Sequence, residues 1–159
     1  MVGGFSASWS YTNGTSEITV ITPPHVVGAV AIDIVPTSGS TTTRSNAFAY
    51  LPTVFSDDTL VLGVTTAKAQ HIIELRQAVD ALRAVAGIGP APWTDPFLVL
   101  GTTTVKAMHI QELRAHLDSV ATALGYMTQP YTDPSLSSGY VIKRVHIEEL
   151  RQRIRTIAG

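Results

Sequence analysis

Along the first 51 residues apolar and polar positions alternate with the period of two that a half-buried strand imposes. In "EITVIT", Ile18 and Val20 fall on one face and Thr19 and Ile21 on the other. "AVAIDIV" sets Val30, Ile32 and Ile34 against Ala31, Asp33 and Val35, and "NAFAY" places Phe48 and Tyr50 together. Pro23-Pro24 and Ser38-Gly39 punctuate these runs as turns. The pattern predicts three or four short antiparallel strands.

From residue 52 onward the period becomes that of a helix. Ile72, Leu75, Val79 and Leu82 form one stripe, Ile110, Leu113, Leu117, Val120 and Leu124 a second, and Ile147, Leu150, Ile154 and Ile157 a third. The spacing predicts helices over 65–86, 103–124 and 140–158. Thr65 or Thr66 is the expected N-cap of the first, and Gly87 and Gly125 stand where helices stop. The third has no threonine at its start. Three amphipathic helices of similar length bury their stripes against each other or against a sheet. The expected fold class is therefore α+β, a β domain over 1–51 followed by a helical bundle over 52–159.

The helical part repeats itself, in units 52–90, 91–128 and 129–159. "HIIELR", "HIQELR" and "HIEELR" begin at His71, His109 and His146. Ahead of each phrase come an aromatic (Phe55, Trp93, Tyr131), a hydroxyl residue (Ser56, Thr94, Thr132), an aspartate (Asp57, Asp95, Asp133), a leucine (Leu60, Leu98, Leu136), a glycine and a lysine (Lys68, Lys106, Lys143). Two of the three aspartates precede proline, a turn-forming pair. The aromatic and the leucine are expected to plug the gaps between helices.

Histidine and glutamate three apart share one side of a helix. Three imidazoles meeting on a pseudo-threefold axis would make His71, His109 and His146 a zinc site. The competing reading is structural: each histidine hydrogen-bonds a Thr-Asp-Pro loop of its own or the next unit. Each Glu and Arg (Glu74, Arg76, Glu112, Arg114, Glu149 and Arg151) then forms an ion pair that pins a loop to a helix. An active site is needed once and an internal support in every unit, so repetition favours the structural reading and no catalytic residue or metal is assigned. Asp57, Asp95 and Asp133 lack the Asp-x-Asp spacing and hinge glycine of an EF-type calcium loop. No nucleophile elbow or phosphate-cradling glycine loop is present either.

Composition narrows the partners. With 45% hydrophobic and 14% charged residues the chain is able to fill a core, and a net charge of -1 gives no basic field for nucleic acid. The absence of cysteine removes disulfides, thiolate metal sites and thiol nucleophiles, so no cofactor is expected. "VVGAVAIDIV" is too short to span a membrane, and "MVGGFSASWS" has no basic start or apolar core of a signal peptide. If the protein is exported, this chain is expected to be a processed piece of something longer.

Residues 8 to 52, in the stretch "SEITVITPPHVVGAVAIDIVPTSGSTTTRSNAFAYLP", resemble the closing half of the immunoglobulin-like IPT/TIG family. That family's ending is a strand, Thr-Pro-Pro-His, a Gly-led strand, a Gly turn and Asn-Ala-Phe-x-Tyr. The resemblance implies a partial antiparallel β-sandwich of a surface, adhesive or multidomain protein. The family's earlier strands, built around Ser-Gly-Pro and Gly-Gly-Thr turns, have no counterpart in "VGGFSASWSYTNGT". The absent strands are expected to be replaced by helices of this chain or by strands of a neighbour.

Residues 52 to 159 resemble a tandem repeat at the ends of large exported bacterial proteins, aromatic-Thr-Asp-Pro-x-Leu-x-x-Gly-x-Thr-x-x-Lys-x-x-His-Ile-x-Glu-Leu-Arg. The organisation is loosely similar to surface-layer homology domains, whose Ile-Thr-Arg-Ala-Glu phrase is absent. Together these resemblances imply an extracellular or cell-surface module of a bacterial protein without enzymatic activity. The expected partner is a second copy, or another chain completing the sheet. The alternative is a cell-wall glycan stacked on Phe55, Trp93 and Tyr131, and a metal-dependent enzyme using the His/Glu pairs is the third reading.

Overall fold

A computed structural model describes residues 1–11, 17–52, 54–61 and 66–159. The fold is α+β. Strands β1 (Ser8–Tyr11) and β2 (Ile18–Ile21) pair antiparallel, β3 (Gly28–Ile34) and β4 (Thr42–Tyr50) form a second antiparallel pair, and helices α1 (Ala69–Val85), α2 (Ala107–Ala123) and α3 (Arg144–Ala158) follow.

The period-two pattern places its strands where the chain pairs them. In the first sheet Trp9 faces Val20 and Tyr11 faces Ile18. Because side chains alternate, these four share one face, and Ser8, Ser10, Thr19 and Ile21 share the other. In the second sheet Val30 faces Phe48, but Ile32 faces Arg44, with a register shift between. Asn46, at φ 49, sits inside that irregularity, in the left-handed conformation that asparagine tolerates better than most residues. The outer edge of β3 is met by the chain's own start. Gly3 N–H donates to Ala31 O at 2.9 Å, Asp33 N–H to Met1 O at 2.9 Å, and Val2 is buried there. Helix α1 packs against both β3 and β4, so a helix of the same chain lies on the second sheet.

The three stripes meet in one core. Ile72, Leu75, Val79 and Leu82, then Ile110, Leu113, Leu117 and Val120, then Ile147, Leu150 and Ile154 are all buried, joined by Phe55, Leu60 and Leu136 from the loops. Each such side chain contributes about 1.5–3 kcal/mol relative to exposure. Leu98, Leu124 and Ile157 are only partly buried at its margin.

The helices begin four residues later than the spacing predicts. Thr65 lies outside the described residues, and Thr103 spends its hydroxyl in the loop, where Oγ1 accepts Val99 N–H at 2.8 Å. The N-cap residues are Lys68, Lys106 and Lys143, and the third helical residue in each case is the repeated histidine, which reaches back to the cap's N–H. That is the geometry of a capping box with imidazole in place of glutamate. At the other end the glycines act as expected. Gly87, at φ 72, and Gly125, at φ 81, take the left-handed conformation, and Ile88 and Tyr126 N–H then donate back to Arg83 O and Ala121 O, each at 2.8 Å.

Candidate functional site

The residues shared by all three units gather into three equivalent clusters, one at the start of each helix. In the second unit Asp95 takes a left-handed φ of 48, which turns its carboxylate towards the coming helix. Lys106 Nζ donates to Asp95 Oδ2 at 2.6 Å. His109 Nε2 lies 3.1 Å from the same oxygen, and Nδ1 accepts Lys106 N–H at 3.3 Å. Asp57, Lys68 and His71 repeat this at 2.7, 3.1 and 3.2 Å, and Asp133, Lys143 and His146 at 2.6, 3.1 and 3.2 Å.

Acceptance at Nδ1 fixes the tautomer: the ring proton is on Nε2, where it donates to the aspartate. All three imidazoles are fully buried. Hydrogen bonds from the lysine and then from the histidine hold all three aspartates below the ordinary carboxylate range.

Glutamate ties each loop to its own helix. Ser56 N–H donates to Glu74 Oε2 at 2.9 Å, Thr94 N–H reaches Glu112 at 3.2 Å, and Thr132 N–H reaches Glu149 Oε1 at 2.9 Å. Burial pushes the Glu74 carboxyl up, but hydrogen bonds from Gln70 and Ser56 outweigh it and leave the group below its usual range.

Arginine ties each helix to the next unit's loop. Arg76 donates to Asp95 O at 2.9 Å and Thr94 O at 2.7 Å, and Arg114 to Asp133 O at 2.9 Å and Thr132 O at 2.8 Å. Arg151 returns to the first unit, donating to Ser56 O at 2.6 Å. The circuit of arginines therefore closes, first unit to second, second to third, third to first. Each guanidinium also lies over the aromatic ring of the loop it holds, Arg76 over Trp93 at 4.9 Å, Arg114 over Tyr131 at 4.6 Å and Arg151 over Phe55 at 5.1 Å. Burial lowers the pKa of all three arginines, against the pull of neighbouring carboxylates.

Phe55 is buried, and Trp93 and Tyr131 are partly buried. Arg153 lies over Tyr131 as well, at 3.4 Å, so guanidinium groups take the rings offered by the sequence as stacking platforms. Trp93 Nε1 donates to Asp80 at 2.9 Å and Tyr131 OH to Asp118 at 2.9 Å, the same position one unit on. Burial and Asp118 raise the Tyr131 pKa above the ordinary phenol range.

Each of His71, His109 and His146 stays with the aspartate of its own unit, and both nitrogens of each ring are engaged. Among the described residues no group of three His, Cys, Asp or Glu side chains is placed to hold a metal ion. Ser56 and Thr132 direct their hydroxyls to glutamate. Chemically, the clusters neutralise buried charge and satisfy loop and helix-end backbone groups.

Two features escape the sequence reading. The Lys-x-x-His spacing is the capping-box spacing and was available as a signal. The hand-over of arginine to the next unit, and the return of Arg151 to the first, had no counterpart in local pattern. Comparisons with protein-family models, with curated proteins and with solved structures give no match for this chain.

Proposed function

We propose that this chain is a non-catalytic structural module of a bacterial surface or secreted protein, and that it self-associates into an oligomer or fibre. In this reading residues 1–51 are a partial immunoglobulin-like sandwich and 52–159 a closed three-unit helical bundle. The bundle is the rigid carrier, and the sheet supplies the contact.

One observation carries the proposal. Every residue of β1 and β2 is exposed, and the ribbon they form is amphipathic. Its apolar face presents Trp9, 59% exposed, and Tyr11, 67% exposed, beside Ile18 and Val20. Neither strand carries a charged residue. In a two-stranded sheet both strands are edges, and an uncharged, apolar edge ribbon is a template for strand addition or face-to-face packing. The repeated His, Glu and Arg side chains support the same reading from the other side, because their bonds hold the chain's own loops to its helices.

The test is the solution mass of the chain beside a Trp9→Ser/Val20→Ser variant. The proposal expects multimers well above 17.0 kDa for the parent and a lower mean mass for the variant at equal concentration. A parent that stays at 17.0 kDa refutes self-association; retention of that monomer on cell-wall glycan, lost in the variant, would favour glycan binding on Trp9 and Tyr11 in place of Phe55, Trp93 and Tyr131, whose rings the arginines cover.

A further inference from the structure

The three units are not equal at the C-terminal ends of their helices. In the first unit the position twelve residues after the histidine is Arg83. Its side chain is buried, Nε donates to Gly89 O at 2.8 Å and Nη1 lies 3.4 Å from His116 Nδ1. The same position in the second unit is Ala121. Where the first unit packs a long side chain, the second therefore has a methyl group, and a cleft of about 240 Å³ opens beside it. Leu117, Ala121, Tyr126, Met127 and Ile157 form its apolar wall, and Asp118, Arg153 and the polar Thr128, Gln129, Gln152 and Thr156 complete the lining. Arg153 is committed to Asp118 and to the Gln129 and Pro130 carbonyls, so the rim charge is already neutralised.

The second unit also carries the most exposed large apolar side chain among the described residues. Phe97, 90% exposed, projects from the loop that enters α2, flanked by exposed Val99 and Leu100. No charged residue lies between Pro96 and Val105. The equivalent loop of the third unit reads Pro-Ser-Leu-Ser-Ser, polar at the same places.

We infer that Phe97 of one copy seats in the Ala121 cleft of the next. This rests on the reading that the chain self-associates, and it names a contact separate from the β1–β2 ribbon. Size supports it: a cavity of roughly 150 Å³ lined by aliphatic side chains accepts a benzene ring, so 240 Å³ holds a phenyl ring and its methylene. Chemistry supports it, since an uncharged knob meets the apolar wall and the two lining charges, Asp118 and Arg153, are already paired with each other at 3.1 Å. Placement supports it too. The knob is on the segment entering α2, whereas the cleft is built from the C-terminal halves of α2 and α3. A knob and a hole at different places on one molecule make a heterologous contact, which propagates into a chain of subunits unless the rotation closes it.

The test uses the full chain in the Trp9→Ser/Val20→Ser background, which removes the ribbon contact. Three species are compared by light scattering and sedimentation: that parent, the parent with Phe97→Ser, and the parent with Ala121→Arg, which restores the first unit's residue. Ala121→Met serves as a second filler, and far-ultraviolet circular dichroism confirms folding. The inference expects concentration-dependent multimers from the parent and 17.0 kDa chains from each single variant. It also expects a one-to-one dimer when the Phe97→Ser and Ala121→Arg chains are mixed, because one retains the hole and the other the knob. Association of either single variant equal to the parent's, or a mixture that stays monomeric, overturns it. A parent monomeric at all concentrations overturns it as well, and if the ribbon-intact chain still associates, the broader self-association reading survives alone.

Discussion

Arg151 is the residue whose removal tests the closed arginine circuit. It is fully buried, donates to Ser56 O at 2.6 Å and lies over Phe55 at 5.1 Å. Arg151→Ala leaves the Ser56 carbonyl without a charged donor, a loss of about 1.5–3 kcal/mol. It also removes a desolvated cation from an aromatic face, a contribution of about 2 kcal/mol. Set against this, Arg151 Nε and Nη1 have no hydrogen-bond partner among the described residues, so part of the cost of burying the guanidinium is recovered when it goes.

The net expectation is a destabilisation of about 3 kcal/mol, near the low end of the range for breaking a buried charged pair. Urea unfolding followed by circular dichroism reads this as a lower midpoint with an unchanged slope. Arg155→Ala is the control. Its ion pair with Asp58 is partly open to solvent and is expected to contribute about 0.5 kcal/mol. An Arg151→Ala chain within about 1 kcal/mol of the parent would mean that the first and third units are held by apolar packing alone, and the circuit would be an ornament of the geometry.

Further expectations follow from the same contacts. His109→Ala removes the acceptor of the α2 N-cap N–H and the partner of Asp95, and is expected to cost about 2 kcal/mol in chemical denaturation; a cost no larger than that of an exposed substitution would refute the capping role. Leu113→Ala, at a fully buried core position, is expected to cost about 3–4 kcal/mol, whereas Val99→Ala at an exposed one leaves the unfolding midpoint unchanged. Asp57, Asp95 and Asp133 have carboxyl pKa values held below the ordinary 3.8, so their stabilisation is complete above that pH and is lost as pH falls through the lower folded value. Acid unfolding of the triple Asp→Asn chain should accordingly show a smaller loss of stability between pH 4 and pH 2 than the parent, and identical losses would contradict the assignment.

Much of the architecture was readable from periodicity, because burying one face of a strand or helix forces the apolar pattern itself. Val30 and the three stripes ending at Leu82, Val120 and Ile154 are of this kind. Helix ends were half readable. Gly87 and Gly125 carry their own conformational preference, whereas the N-caps fell to lysine backbones held by His71, His109 and His146, which no propensity scale favours. Burial of the repeated histidines and arginines was open to inference from repetition alone. Which loop each arginine serves depends on how neighbouring helices are placed, and that information is not local. Exposure of the β1–β2 ribbon was equally hidden, since its alternation of Trp9 and Tyr11 with Ser8 and Ser10 is what a buried face would also show.

Self-association is read directly from the solution mass of the purified chain. Light scattering over a dilution series should show species well above 17.0 kDa that dissociate on dilution and shift to lower mass when Trp9 and Val20 are replaced by serine. A mass of 17.0 kDa at every concentration would contradict the account.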